Sequence, residues 1–133
     1  SIGISQLKKF NKFSKKRQDI ARFYDLNLKE IDYIKTFERD YSCIVPHIYP
    51  IKLNENINRD DLVSYLLKEN IQTGIHYKPN HLLSYYKKNK CSDLKNTNKI
   101  YKKVLSLPLH PEIKKSHVKH IAHCLKKYEK LLS

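Results

Sequence analysis

Three short apolar segments alternate with stretches of helical period, and this alternation limits the possible folds more than any other feature. "CIVPHIYPIKL" (43–53), "NIQTGIHY" (70–77) and "VLSLPLHP" (104–111) read as strands, each too short and too broken by proline or glycine to be a helix. Before and between them, apolar residues recur every three to four positions. The predicted order is helix, strand, helix, strand, helix, strand, helix. Short strands that face helices across one core form an α+β two-layer sandwich, here a three-stranded, mainly antiparallel sheet with helices packed on one face.

The first helix carries Ile4, Leu7, Phe10, Phe13 or Ser14, Ile20, Ala21, Tyr24 and Leu28 on one stripe, with lysines opposite. It is long for a domain of this size, which predicts that it bridges to something else. Residues 29–42 lack a period and read as a connection. Pro46 and Pro50 share one parity, so each withholds an amide on the same side, which predicts an edge strand. Asn58 is the expected N-cap of the next helix, with Asp60 and Asp61 favouring its dipole and Leu62, Val63, Leu66 and Leu67 as its buried face. Residues 82–89 suit one or two helical turns, and residues 94–103 another helix. The last helix places Val118, Ile121, Leu125, Tyr128 and Leu132 on one face.

A chain of 133 residues suits one domain, and 40% apolar with 30% charged residues reads as soluble and globular. No apolar run is long enough to cross a bilayer, and the N-terminus lacks the apolar segment of a secretory leader. Cys43, Cys91 and Cys124 are far apart and odd in number, so no disulfide framework or zinc ribbon is expected and a reducing, cytoplasmic setting is. The net charge of +14 raises nucleic-acid binding as a function. Against it, only Arg17, Arg22, Arg39 and Arg59 supply the guanidinium groups that grip phosphates and bases in pairs, and the lysines are scattered rather than grouped. The milder consequence is attraction of anionic small molecules. The chain contains no methionine, which predicts a fragment of a longer polypeptide.

With Gly3 and Gly74 as its only glycines, the chain cannot form a phosphate-cradling loop. No nucleophile elbow and no convincing pair of acids for proton transfer are present. His117, His120 and His123 fan over about 120° of helix surface, with Cys124 adjacent. No carboxylate lies within the repeat to orient them, so they read as the solvent flank of an amphipathic helix and no metal site is expected. "GIHYKPNHLLSYY" (74–86) is different in kind. Gly74 permits close backbone approach, His76 and Tyr77 end a strand, and Pro79 bends the chain before His81. The residues alone leave two readings open: a ligand-facing wall, or a buried tyrosine cluster with satisfied histidines.

Four stretches match one family in order. "GISQLKKFNKFSKKRQDIARFYDLNL", "HIYPIKL", "RDDLVSYLLKENIQTGIHYKPNHLLSYY" and "VLSLPLHPEI" together resemble the C-terminal small domain of the DegT/DnrJ/StrS aminotransferases, across about residues 2–131. The resemblance implies that residues 1–133 are that small domain and that residues 1–28 form the helix connecting it to a large domain preceding Ser1. The family's enzymes use pyridoxal phosphate to move an amino group from an amino acid to the keto-sugar of a nucleotide-sugar. Their Schiff-base lysine, the acid facing the pyridine nitrogen and most phosphate contacts belong to the large domain. No residue here is therefore expected to be catalytic, and this fragment is not expected to bind the cofactor or to be active alone.

The resemblance further implies that His76, Tyr77, His81 and Tyr85 line the substrate side of the cleft, where imidazole and phenol can bond sugar hydroxyls or diphosphate oxygens. It also implies a homodimer at full length. A dehydratase of the same family and a free-standing basic nucleic-acid-binding module are the alternative functions. Two departures stand out. Asn80 replaces a small apolar residue before the second histidine. Lys114, Lys115, Ser116 and His117 replace the usual hydroxyl cap and acidic first turn, so the onset of the last helix is expected to be frayed or shifted.

Overall fold

The computed structural model describes residues 2–86 and 93–132. Cys91 and the end of the predicted 82–89 turn lie outside the described residues. The elements are α1 (Ile2–Leu28), β1 (Ile34–Thr36), β2 (Tyr49–Leu53), α2 (Arg59–Lys68), two 3-10 turns (Asn80–Leu82 and Ser84–Tyr86), α3 (Lys95–Lys103), β3 (Val104–Leu107) and α4 (Lys115–Lys130). The sheet has the order β1-β2-β3 and is antiparallel throughout. The α+β sandwich with a three-stranded sheet is what the sequence predicts, but the strands are not all the expected ones.

β1 lies inside the stretch read as a connection. With three residues it is too short to show a period, and it is held by its pairing of Ile34 with Leu53. Conversely, "NIQTGIHY" contributes only one bridge, Gly74 to Ser106. β2 is central, not an edge. Pro50 is tolerated there because it pairs with Ser106, whose own N–H and C=O both turn away to Gly74 at 2.8 and 2.9 Å. The missing amide of Pro50 therefore faces the β1 side, where β1 has already ended at Thr36. On that side Arg39 donates to the Pro50 carbonyl at 3.1 Å.

Tyr49, Ile51 and Leu53 of β2 and Leu105 and Leu107 of β3 form the sheet's side of the core. Facing them are Tyr24 and Leu28 of α1, Leu62 and Leu66 of α2, and Val118, Ile121 and Leu125 of α4. Full burial of one such aliphatic side chain contributes about 1.5–3 kcal/mol relative to exposure. Phenols tie the layers together: Tyr24 stacks on Tyr49 at 4.6 Å and donates to the Pro108 carbonyl, and Tyr33 donates to the Leu125 carbonyl. Asp25 accepts from both Tyr41 and Tyr49. Leu67 and Leu132, predicted on buried faces, are exposed: Leu67 points past the Leu62–Leu66 stripe, and Leu132 lies beyond the end of α4.

Asn58 caps α2 as predicted, its side chain accepting from the Asp60 amide at 3.0 Å. α4 begins at Lys115. Lysine has no acceptor with which to cap it, and instead His117 Nδ1 accepts from the Lys114 amide at 3.3 Å. In α1 the row Leu7, Phe10, Ser14, Arg17, Ala21, Tyr24, Leu28 runs along one face. Ser14, Ala21, Tyr24 and Leu28 are buried, whereas Leu7 and Phe10 are 72% and 53% exposed. The row runs off the domain body. No helix among the described residues is long and apolar enough to cross a membrane.

Candidate functional site

The site begins where α2 ends. Asn70 takes a positive φ of 61°, its amide bonds the Leu67 carbonyl, and the Ile71 amide bonds the Leu66 carbonyl at 2.8 Å. This is a Schellman closure, with buried Ile71 against buried Leu66. It turns the chain abruptly and delivers Gln72, Thr73 and Gly74 to the open edge of β3.

Gly74 is held there by both backbone bonds to Ser106. The sequence predicts that Gly74 admits a close approach, and the group that approaches is the ring of His76, with Nδ1 3.2 Å from where a Cβ would stand. His76 is exposed, and its ring meets that of Tyr77 edge to face at 5.1 Å. Tyr77 is 75% exposed and Tyr85 84% exposed. The buried tyrosine cluster, one of the two readings open from the residues, is therefore absent.

Pro79 opens the first 3-10 turn, its carbonyl accepting from the Leu82 amide. His81 is half-buried on this turn, and its Nε2 lies 2.7 Å from Asn98 Oδ1 on α3. With the amide oxygen accepting, Nε2 carries the proton and Nδ1 remains free to accept. His81 thus anchors the loop to α3. Tyr85 stands on the second turn, edge to face with Tyr86.

Of the four predicted wall residues, the fold brings His76 and Tyr77 to one place, with His81 and Tyr85 following along the loop. His76 borders two recesses. One, of about 280 Å³, is walled by Ile75, Tyr77, Pro79, Ile100 and Tyr101 as well as His76. The other, of about 370 Å³, is walled by His47, Thr73, Gly74, Ser106 and Leu109 together with His76. Sequence reasoning missed Tyr101, which no local motif connects to 74–86, and passed over Thr73 and Ser106, which lie inside the 70–77 and 104–111 stretches without being singled out. His47 was visible only as part of "HIYPIKL". A third hollow, of about 500 Å³, shares Gln72 with the second and is bordered by His110, His117 and His120. His117, His120 and His123 are exposed, as their helical flank predicts, and no three metal-binding side chains converge among the described residues.

Burial raises the Cys124 thiol above its ordinary range, which favours an inert thiol. Hydrogen bonding to Glu69 holds the Lys127 proton more tightly than usual.

The model of the DegT/DnrJ/EryC1/StrS aminotransferase family matches residues 1–126. The chain is similar to UDP-4-amino-4,6-dideoxy-N-acetyl-beta-L-altrosamine transaminase of Campylobacter jejuni, 35% identical over 94% of this chain and 34% of the relative. It is also similar to the spore coat polysaccharide biosynthesis protein SpsC of Bacillus subtilis, 30% identical over 95% of this chain and 34% of SpsC. Among solved structures, Helicobacter pylori PseC, an aminotransferase involved in the biosynthesis of pseudoaminic acid, superposes with a TM-score of 0.83 at 28% identity, over 97% of this chain and 36% of PseC. The chain spans about a third of the length of these relatives.

Proposed function

The chain belongs to the DegT/DnrJ/EryC1/StrS aminotransferase family, and from that premise we propose that it is the C-terminal small domain of an enzyme that transfers an amino group from an amino acid to the keto-sugar of a nucleotide-sugar. The single observation carrying this reading is the family match over residues 1–126. The exposed polar group of His76 and Tyr77 supports it, because it is placed to meet a ligand rather than to fill a core.

Pyridoxal phosphate supplies an electron sink when bound to such an enzyme. The residues described here do not form a seat for it. Asp25, the carboxylate drawn in beside Tyr24, is committed to two phenols. Lys127, with its proton held tightly by Glu69, is the opposite of the lysine with a lowered pKa that a Schiff base needs. The two glycines are far apart in sequence and make no phosphate loop. We therefore place the cofactor in another part of the polypeptide and assign His76, Tyr77, His81 and Tyr85 to substrate contact: they bind and orient the nucleotide-sugar and exclude water from one side.

The exposed stretch of the α1 row supports a second folded unit. It lies on the same face that packs the core further along, so its partner must fit the corner between helix and domain body. A large domain of the same polypeptide fits there, with residues 1–28 as the connecting helix. As the family resemblance implies, the whole enzyme is a homodimer.

The test is amination by the full natural polypeptide, given pyridoxal phosphate, glutamate and a UDP-linked keto-sugar. Release of 2-oxoglutarate with formation of the amino-sugar is the expected result. Loss of water from the sugar without amine transfer would instead make the enzyme a dehydratase and overturn this reading.

A further inference from the structure

The front half of α1 presents a face that the fold does not use. Lys8, Lys9, Lys12, Lys15 and Lys16 are all exposed. At 100° per residue they fall within about 120° of arc, centred opposite the row of Leu7, Phe10 and Ser14. No acidic residue precedes Asp19. Among the described residues, none of the five side chains has a hydrogen bond or an ion pair. Elsewhere on the surface Lys99, Lys126 and Lys127 pair with Glu55, Glu30 and Glu69. Like charges three and four residues apart oppose a helix, and Lys12 has such neighbours in Lys8, Lys9, Lys15 and Lys16. A face kept at that cost, with no acid to relieve it, is the footprint of a negatively charged partner.

The side chains select among negative partners. Nucleic acid is gripped by arginine forks and by aromatic rings that stack on bases. Arg17, the arginine of this half of α1, is turned to the Pro46 and His47 carbonyls at 3.4 and 3.1 Å. Phe10 and Phe13 lie outside the lysine arc. A protein partner needs an apolar centre depleted in lysine, and this face has none. Compact ammonium charges on long flexible stems suit a surface whose negative charge is spread out rather than fixed in place.

We propose that the lysine face of α1 holds the whole enzyme against a lipid surface rich in anionic headgroups. The contact is electrostatic, made at the level of the lipid phosphates, and inserts no helix into the hydrocarbon. It rests on the reading above that the opposite row of α1 meets the large domain, which leaves the lysines pointing outward. It does not depend on which substrate the enzyme aminates.

The experiment is co-sedimentation of the full natural polypeptide with vesicles of phosphatidylcholine alone and of equal parts phosphatidylcholine and phosphatidylglycerol. Each lysine near an anionic surface strengthens binding about fivefold, so the five together favour the anionic vesicles on the order of a thousandfold at low salt. The preference should collapse at about 0.5 M salt. Lys12→Gln/Lys16→Gln is expected to weaken binding about 25-fold. Lys35→Gln/Lys119→Gln removes the same charge from exposed positions off the face and should bind as the parent does. Amination by both variants should match the parent, so failure of vesicle binding leaves the proposed function standing.

Equal loss in the two variants would reduce the effect to net charge and overturn the proposal, as would a parent that ignores anionic vesicles. Binding of duplex or single-stranded DNA that is tighter than vesicle binding and lost in Lys12→Gln/Lys16→Gln would make nucleic acid the occupant instead. Relief of repulsion predicts that this variant is at least as stable as the parent to urea. A clear loss of stability would show that the lysines pair within the whole polypeptide, which also overturns the proposal.

Discussion

The imidazole of His76 occupies the space that a side chain at position 74 would need. A Cβ on Gly74 would fall inside van der Waals contact with His76 Cε1, with Nδ1 and Nε2 at 3.2 and 3.3 Å. The obstacle is the end of a rotatable, exposed side chain, so the ring gives way before the backbone does. Gly74→Ala is therefore expected to cost less than about 1 kcal/mol, offset in part by lower entropy of the unfolded chain. The His76 ring moves all the same. The ring-proton resonances of His76 should shift while the melting temperature changes by only a few degrees. A large fall in melting temperature would show that the Gly74–Ser106 bridge, not the ring, is what position 74 protects.

His76 and His81 are expected to differ from a generic surface histidine in which half-reaction they serve. In the full polypeptide, His76→Ala should slow turnover of the keto-sugar more than that of the amino donor. Losing one hydrogen bond to a charged diphosphate costs about 1.5–3 kcal/mol, or roughly ten- to hundred-fold in kcat/KM. His81→Ala should act in the same direction and also loosen the loop, because the bond to Asn98 is lost. A double-mutant cycle with Asn98→Ala isolates that part, with an expected coupling of about 0.5–1.5 kcal/mol. Unchanged sugar turnover in both histidine variants would make the pair structural.

Asn70 is the hinge that aims the 72–77 segment. A non-glycine residue with φ of 61° is under strain that asparagine tolerates and alanine does not. Asn70→Ala is expected to cost about 1 kcal/mol, whereas Asn70→Gly should be close to neutral. Urea unfolding of the two variants checks this, and equal stability of both would remove the hinge from the account.

The two ends of α2 and the loop beyond it also show where the sequence was readable and where it was not. Asn58, Asp60 and Asp61 announce α2 because capping is local chemistry. The stripe of α4 is readable because a long helix repeats its signal. The end of α2 is less legible, since an αL asparagine looks like any turn residue until its carbonyl partners are known. Pro50 misled for a physical reason. A proline forbids one amide bond, but whether that side of the strand has a neighbour depends on where β1 stops, 14 residues earlier at Thr36. The 74–86 cluster is legible as a polar concentration. Its partners Ser106 and Tyr101 are not, because the antiparallel return of β3 brings Ser106 alongside and the end of α3, which runs into that strand, brings Tyr101.

The unpaired stretch of α1 makes a separate prediction. Leu7 and Phe10 are exposed here, so Leu7→Gln and Phe10→Gln should leave the melting temperature of the 133-residue chain nearly unchanged. In the full polypeptide the same substitutions should destabilise by about 1–3 kcal/mol each, as for apolar side chains buried at a domain contact. Equal, small effects in both settings would mean that nothing folds against this face.

The last prediction concerns alkaline pH. Burial raises the pKa of Tyr24 and Tyr33 well above the usual value near 10. Tyr49 is raised by burial and then by its bond to Asp25, and Tyr41 is pushed up to about 12 by the same two causes. In each case the folded chain keeps a proton that the unfolded chain releases. Stability should therefore be flat with respect to these groups below about pH 10 and fall as pH rises beyond it, because the unfolded state then binds fewer protons. Tyr49→Phe removes one of these raised phenols and leaves Asp25 paired with Tyr41 alone. The variant should lose stability at neutral pH yet show a shallower alkaline decline. Tyrosinate absorbance and far-ultraviolet circular dichroism, followed together, provide the check. The final part of the absorbance rise should coincide with loss of the helical signal, and ionisation of every tyrosine while the helices remain intact would contradict the burial that this core requires.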